Sequence, residues 1–366
     1  MSTGNIASAE IRRLFLQNTP FLDVRAEIEF EKAAFPGSKN LPILKTDERH
    51  RVGVCYKERG QNEAVKLGHE IVTGSIKRER VEAWCQFMNA NPEAHLYCWR
   101  GGMRSNLTRQ WMNEAGVDVP LVPGGYKALR KVLLDEFEAA AVPSSMIIIA
   151  GNTGVAKTKL INECDNGIDL EGIAHHRGSS FGRHVKSGPT QGYFENRLGI
   201  DILKKRVMNP DKPLILEDEG RMVGPVVIPL SFWNAMTEAR IARVDMPLDY
   251  RVQRILQEYV CDMLEEHIDA GGEQGFENFH AYLTEGLLRI KKRLGGERHS
   301  RLNGLMLSAL SEQRSTGSVT SHEAWISGLL TDYYDPMYEY QLGKKKHRVV
   351  YTGDYSEVVQ WAAAQK

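Results

Sequence analysis

The chain has 366 residues, too many for one hydrophobic core and enough for about two domains of ~100–200 residues each. Hydrophobic residues at 42% and charged residues at 26% are ordinary for a soluble globular protein. Lys plus Arg and Asp plus Glu both number 47, which excludes a general electrostatic attraction to nucleic acid and leaves any such partner to local patches.

Residues 1–17 carry polar side chains and two arginines before any apolar segment, so they do not read as a secretory signal. No stretch approaches the ~18 apolar residues of a membrane span. Phe21-Leu22-Asp23-Val24-Arg25 reads as a short apolar strand ending in an acid and a base. An acidic segment to Glu31 follows, then a turn at Phe35-Pro36-Gly37-Ser38, after which Asn40-Leu41-Pro42 resumes an extended path. Helical spacing sets Ala64, Leu67, Ile71 and Val72 on one face over 62–73, and Val81, Trp84, Cys85 and Met88 on one face over 78–88. His95-Leu96-Tyr97 reads as a buried strand, and a helix is expected over 106–115. Strands alternating with helices imply a parallel α/β sheet with ligands at the carboxyl ends of the strands, where Cys98 lies.

Cys98-Trp99-Arg100-Gly101-Gly102-Met103-Arg104-Ser105 is the most informative run of this half. A thiolate is favoured where turn amides and arginines surround the sulfur with positive potential. Gly101 and Gly102 let the backbone curl with its amides inward, and Arg100 and Arg104 add full charges. A buried cysteine before an ordinary glycine turn is the plainer reading of Cys-x-x-Gly-Gly, and the two arginines argue for a reactive sulfur. The other cysteines, Cys55, Cys85, Cys164 and Cys261, bring the count to an odd five without any Cys-x-x-Cys, so neither a disulfide framework nor a zinc knuckle is indicated. A reducing cytoplasm is the expected location.

From about Phe21 to Leu129 the chain resembles a rhodanese domain, a fold that carries sulfur as a cysteine persulfide. The resemblance rests on Asp23-Val24-Arg25, Glu29, the segment from Phe35 to Pro42 and the Cys98 loop, in that order. The common single-domain pattern has arginine five positions after the cysteine, whereas Arg104 is six positions after Cys98. That longer Cys-x5-Arg loop is similar to the one in Cdc25-type phosphatases, where amides cradle a phosphate oxyanion, so a phosphate-bearing donor and a bare sulfane both stay open.

Residues 139–145, small with one proline, read as a linker between a first domain over 1–138 and a second over 146–366. Met146-Ile147-Ile148-Ile149-Ala150 is a buried strand leading into Gly151-Asn152-Thr153-Gly154-Val155-Ala156-Lys157-Thr158 and a helix. That is the setting of a Walker A loop, with amides facing phosphate, Lys157 reaching further oxygens and Thr158 available to a metal. Gly151, Asn152, Thr153, Gly154, Lys157 and Thr158 are the candidate phosphate ligands. Ala156 replaces the glycine before lysine and adds a methyl where backbone and phosphate approach. Phosphate or pyrophosphate binding is expected there, and ATP hydrolysis is not.

Pro213 to Glu219 forms a second buried strand ending in carboxylates, where Glu217 and Asp218 could hold magnesium through water or form only a solvated turn. His175-His176-Arg177-Gly178-Ser179-Ser180-Phe181-Gly182 reads as a flexible cationic loop whose adjacent histidines lack metal spacing, so Arg177, Ser179 and Ser180 are candidates for anion or RNA contact. Basic clusters lie at 204–206, at Lys291-Lys292-Arg293 and at 344–348. Near the last two, Tyr282, Tyr333, Tyr334, Tyr338 and Tyr340 could stack on unpaired bases. A solvated helix face is the competing reading of each cluster.

The fold expected is therefore α/β, a rhodanese-like parallel-sheet domain followed by a P-loop NTPase-like domain with a helical C-terminal part. That order, the Trp-Arg-Gly-Gly step after Cys98, Arg51-Val52-Gly53 to Gly60, Asp169-Leu170-Glu171, the 176–182 loop and Tyr333-Tyr334-Asp335-Pro336 together resemble the bacterial tRNA 2-selenouridine synthases over nearly the whole chain. The resemblance implies replacement of sulfur by selenium in wobble 2-thiouridine of tRNA, with selenophosphate as donor and an S-geranyl intermediate made from geranyl diphosphate. It implies a transferase without a tightly bound cofactor, with magnesium and a selenophosphate-supplying enzyme as optional participants. Cys98 would carry the selenium, with Trp99, Arg100, Gly101, Gly102 and Arg104 as its donor loop, and the Walker A loop would take the isoprenoid diphosphate. A Cdc25-like phosphatase fused to a P-loop domain, and a non-catalytic RNA-binding scaffold, are the alternatives.

Overall fold

The computed structural model describes residues 3–366; Met1 and Ser2, with which the expected first domain begins, lie outside the described residues. The chain divides into two compact units, Met1–Ala139 with Thr190–Lys204, and Ala140–Pro189 with Lys205–Lys366. Around the expected linker, the helix Gly125–Ala140 ends and a 3-10 turn, Pro143–Ser145, leads into the next strand. The return of Thr190–Lys204 to the first unit has no marker in the sequence.

The first unit is built on three parallel strands, β1 (Phe21–Asp23), β2 (Ser38–Asn40) and β3 (His95–Tyr97), in the order β2-β1-β3. Alternation along the strands feeds two cores. Phe21 and Tyr97 join Phe35 and Tyr126 on one face, while Leu22 and Leu96 join Trp84 and Trp111 on the other. Phe21 and Tyr97 meet edge to face, with centroids 5.9 Å apart, a favoured aromatic geometry. Truncating either fully buried ring should cost about 3–5 kcal/mol.

The two periodic segments form the helices Gln61–Ile71 and Gly74–Ala90. The helix after the Cys98 loop is Met103–Glu114, which starts three residues earlier than expected and places Arg104 in its first turn. Before them lies a helix with no apolar stripe, Thr46–Arg59, none of whose residues is buried. Gly60, at φ +85°, reverses the chain between it and Gln61–Ile71, a conformation that suits glycine.

In the second unit five parallel strands, β4 (Met146–Ala150), β5 (Gly167–Ile168), β6 (Leu214–Glu217), β9 (Arg240–Val244) and β10 (Val349–Gly353), form a sheet ordered β10-β9-β4-β6-β5. A short hairpin, β7 (Met222–Val223) with β8 (Val226–Val227), precedes β9. All five residues of β4 are buried, as an apolar strand covered on both faces requires. The chain leaves β4 toward β6 and β5, then returns to its other side as β9. The loop after β4 therefore sits at a topological switch point, where open α/β sheets bind ligands.

The helical C-terminal part includes Gly275–Leu294, Gly296–Thr316 and His322–Leu329, packed around Phe279, Leu283, Trp325 and Leu329. Two π-helical turns, Gln257–Cys261 and Leu330–Tyr334, interrupt its helices and carry Tyr259 and Tyr334 toward the 175–188 loop. Among the described residues no helix is long and apolar enough to cross a membrane.

Candidate functional site

In the first unit, β3 delivers Cys98 to the carboxyl edge of the sheet, with its residue only 3% exposed. Gly101 takes φ +66° and Gly125 takes φ +59°. A side chain on Gly125 would collide with the Cys98 carbonyl and stand 2.6 Å from the Gly101 nitrogen, so the loop is backed by bare backbone. Two bonds fix that backing: the Tyr126 N–H donates to Cys98 O at 2.8 Å and the Lys127 N–H to Trp99 O at 3.1 Å.

The Cys98 sulfur lies 3.2 Å from the Ser105 hydroxyl, whose one proton can go either to the sulfur or to Gly102 O, 3.1 Å away. Burial raises the Cys98 pKa, but the Ser105 hydroxyl, the N–H groups of Ser105 and Arg100 and the charge of Arg104 outweigh it, leaving the thiol below its ordinary value. Arg104 is clamped by both oxygens of Glu29, at 2.7 and 3.2 Å, and Arg49 adds a third contact to Glu29 at 3.1 Å. Burial would raise Glu29; hydrogen bonding and charge from Arg104, then the Ala26 N–H and Arg49, hold it below the usual carboxylate range. Arg100 is exposed and Trp99 is 37% exposed, stacked on Tyr126 at 5.0 Å and 10°. Beneath them Arg25, bonded to Asp23, lies 4.1 Å from the Tyr126 ring centroid.

Cys98, Trp99, Gly101, Gly102 and Arg104 are thus brought together, and sequence reasoning missed their supports, Glu29's grip on Arg104, Ser105, Gly125 and Tyr126. A cavity of about 800 Å³ opens beside the loop, bounded by Trp99, Met103 and Arg104 and by the helices Thr46–Arg59 and Gln61–Ile71.

In the second unit the loop after β4 carries Gly151, Asn152, Thr153 and Gly154. Gly154 adopts φ +89° with Arg251 O against the place of a Cβ, and Ala156 adopts the left-handed φ +65° that a Walker glycine would take without strain. Lys157 Nζ donates to Gly151 O at 2.9 Å, and the Thr158 hydroxyl donates to Glu171 at 3.1 Å. Asn152 and Arg251 both bond Asp335, Arg251 through two parallel contacts of 2.7 and 2.8 Å, while the Gly151 N–H donates to the Tyr338 hydroxyl.

The acids divide differently from the sequence expectation. Glu217 is fully buried and caps the Leu170 N–H at 2.8 Å, and Asp218 pairs with Lys345 at 2.6 Å. Burial, with Asp169 and Glu171 nearby, raises Glu217 well above its ordinary value. Glu171 and Glu219 are the carboxylates that feel Lys157. Burial raises both, with Lys157 opposing the shift, and Glu219 is pushed up to about 8 by burial and by Glu171. Among the described residues no three His, Cys, Asp or Glu side chains form a ready metal cage.

The 175–188 loop is held against the helices. Ser179 donates to the Tyr259 hydroxyl at 3.2 Å, Ser180 lies 3.1 Å from the Tyr334 hydroxyl, and Arg177 bonds Met263 sulfur. Tyr333 and Tyr334 are buried in the helical core and cannot stack on bases, which corrects that expectation; Tyr340, 67% exposed with Lys344 over its ring, can. Arg183, Lys186 and Arg289, with His175, His176 and His184, line a second cavity of about 550 Å³. Lys291, Lys292 and Arg293 are exposed on the last turn of Gly275–Leu294.

Residues 144–366 match the family model described as the tRNA 2-selenouridine synthase AAA domain. Proteins named tRNA 2-selenouridine synthase are similar over almost the whole chain. The one from Bordetella petrii is 48% identical, covering 96% of this chain and 94% of its own; that from Marinobacter nauticus is 46% identical over 96% of each. The one from Shewanella loihica is 46% identical, covering 97% of this chain and 96% of its own.

Proposed function

The chain belongs to the tRNA 2-selenouridine synthase family, and from that premise we propose that it replaces the sulfur of wobble 2-thiouridine in tRNA by selenium from selenophosphate, through an S-geranyl intermediate made from geranyl diphosphate. The observation that carries this reading is the Cys98 loop, where a depressed thiol, a clamped arginine and an exposed tryptophan converge.

In the first step the thiouridine sulfur attacks C1 of geranyl diphosphate, a C–S bond forms, the C–O bond breaks, and diphosphate and the N3 proton depart. The loop over 151–158 is the seat for the diphosphate, with Lys157 released from Gly151 O to meet its charge. The Thr158 hydroxyl with Glu171 and Glu219 offers two or three hard oxygen ligands, which fits magnesium completed by water and diphosphate. When bound, that ion would neutralise the leaving group.

Alkylation makes the C2 sulfur a good leaving group. In the second step the Cys98 thiolate attacks the phosphorus of selenophosphate, forming an S–P bond and breaking the Se–P bond, which frees hydroselenide; Cys98 thus carries the phosphoryl group and not the selenium that the resemblance implies, because an S–Se bond to selenide-level selenium would need an oxidant. Arg104, held in orientation by Glu29, binds the phosphoryl oxygens. Hydroselenide adds to C2, its proton passes to N3, and geranyl thiolate leaves; water then returns the Cys98 thiol and phosphate. Trp99 offers a flat face for the base. The cationic cavity of Arg183, Lys186 and Arg289, with Lys291, Lys292 and Arg293, supplies phosphate contacts for the tRNA.

The test is to incubate the protein with 2-thiouridine tRNA, geranyl diphosphate and selenophosphate and to weigh the nucleosides after digestion. Successive geranylated and selenium-containing uridines support the reading. Bound tRNA with unchanged 2-thiouridine would transfer the weight to a scaffold, and phosphate release from an aryl phosphate to a phosphatase.

A further inference from the structure

We propose that the 800 Å³ cavity beside the Cys98 loop is the seat of the geranyl chain of S-geranyl-2-thiouridine tRNA while selenium displaces it; this rests on the functional reading above. The volume lies within the ~300–1,000 Å³ of small-ligand pockets. Its wall is made of Ile43, Val52, Val65, Val72, Leu107 and Trp111, apolar side chains from four separate segments of the first unit. Four residues at its boundary, Val54, Tyr56, Trp99 and Met103, are hydrophobic yet 38%, 57%, 37% and 52% exposed. Such exposed apolar surface gathered round one opening marks a site that an apolar group covers.

The polar groups of the cavity are cationic or neutral. Arg49, Lys57 and Arg104 lie on it with His50 and His69, and no carboxylate does. An apolar interior with a basic edge complements an aliphatic chain tethered to a polyanion, which describes a geranyl group attached to the anticodon of a tRNA. Because Trp99 and Arg104 belong both to the cavity wall and to the Cys98 loop, a chain seated there leaves its sulfur, and the C2 atom bonded to it, beside the selenium donor. The helix Thr46–Arg59 has no buried residue and no apolar periodicity of its own, so its folding against Gln61–Ile71 is accounted for by this cavity more directly than by a core.

The experiment supplies the alkylated substrate directly, so that geranylation is bypassed. Selenation of tRNA carrying S-methyl, S-dimethylallyl or S-geranyl 2-thiouridine is compared in the wild-type protein and in Val65→Trp and Val52→Trp, which fill the cavity from two helices. Wild type should prefer the geranyl over the methyl substrate at least tenfold in kcat/KM, and each variant should lose most of that preference while keeping its rate on the methyl substrate. Equal use of all three chains by wild type, or an unchanged preference in both variants, would overturn the placement. Independently of any variant, wild-type protein is irradiated with tRNA whose S-linked geranyl chain carries a diazirine. Adducts within 43–72 or 99–111 are expected, and adducts confined elsewhere would overturn the inference. Failure of wild type to selenate any of the three substrates contradicts the functional reading instead, and the labelling then still decides where the chain sits.

Discussion

The hydroxyl of Ser105 stands 3.2 Å from the sulfur of Cys98, across a loop whose return is made in the first turn of the helix Met103–Glu114. Together with the amides of Ser105 and Arg100 and the charge of Arg104, it reverses the effect of burial on the thiol. This pair sets the state in which the sulfur meets its substrate.

Because the Cys98 pKa lies below its ordinary value, selenation limited by the thiolate should rise with pH with a midpoint lower than that of an unperturbed cysteine. Ser105→Ala removes a stabiliser of the thiolate, so the midpoint should move up and the rate at neutral pH should fall. Iodoacetamide alkylation followed by peptide mass spectrometry reads the same midpoint directly. Cys164, pushed up to about 11 by burial, should stay unreacted where Cys98 is already modified.

Glu29→Gln should leave Arg104 in place but less firmly oriented, since one anchor of the bidentate pair is lost. A charge-assisted hydrogen bond contributes about 1.5–3 kcal/mol, so the KM for selenophosphate should rise roughly tenfold or more. Initial rates against selenophosphate concentration check this, and the geranylation rate should not change.

Lys157→Ala should reduce geranyl transfer by about a hundredfold or more, a loss of ~2.7 kcal/mol at the diphosphate. Pre-geranylated tRNA should still be selenated at the normal rate. Geranyl diphosphate binding by calorimetry and single-turnover transfer provide the two readouts.

Asp335→Ala breaks the pair with Arg251, whose side chain is 8% exposed, and also strands Asn152. Removing one partner of a largely buried pair costs about 3 kcal/mol or more. Thermal unfolding should show a clearly lower midpoint, and Asp335→Asn should recover part of it.

Charge reversal at Arg183, Lys186 and Arg289 should weaken tRNA binding and flatten its dependence on salt by nearly one unit of slope for each lost phosphate contact. Filter binding across a salt series measures both. An unchanged slope would remove this cavity from the RNA surface.

The first unit's site was half legible in the sequence. Glycines and arginines clustered within one short loop are local, so Cys98, Gly101 and Arg104 stood out; the grip on Arg104 comes from Glu29, 75 residues away, and no local pattern announces it. Thr46–Arg59 went unread as a helix because it buries nothing and so lacks the apolar period that identifies a helix. In the second unit the strand and loop over 146–158 were visible from composition. Tyr333 and Tyr334 misled because a tyrosine reads equally well as a base platform or a core residue, and their spacing from Trp325, Ile326, Leu329 and Leu330 assigns them to the core. Glu171 was passed over for Glu217 because position at a strand end says where an acid lies and not which neighbour it faces.

The most direct measurement gives Cys98→Ser protein 2-thiouridine tRNA, geranyl diphosphate and selenophosphate, and weighs the nucleosides over time. S-geranyl-2-thiouridine should accumulate at the wild-type rate with no 2-selenouridine formed. Appearance of 2-selenouridine, or loss of geranylation in a protein that unfolds normally, would contradict the assignment of Cys98 to the selenium step.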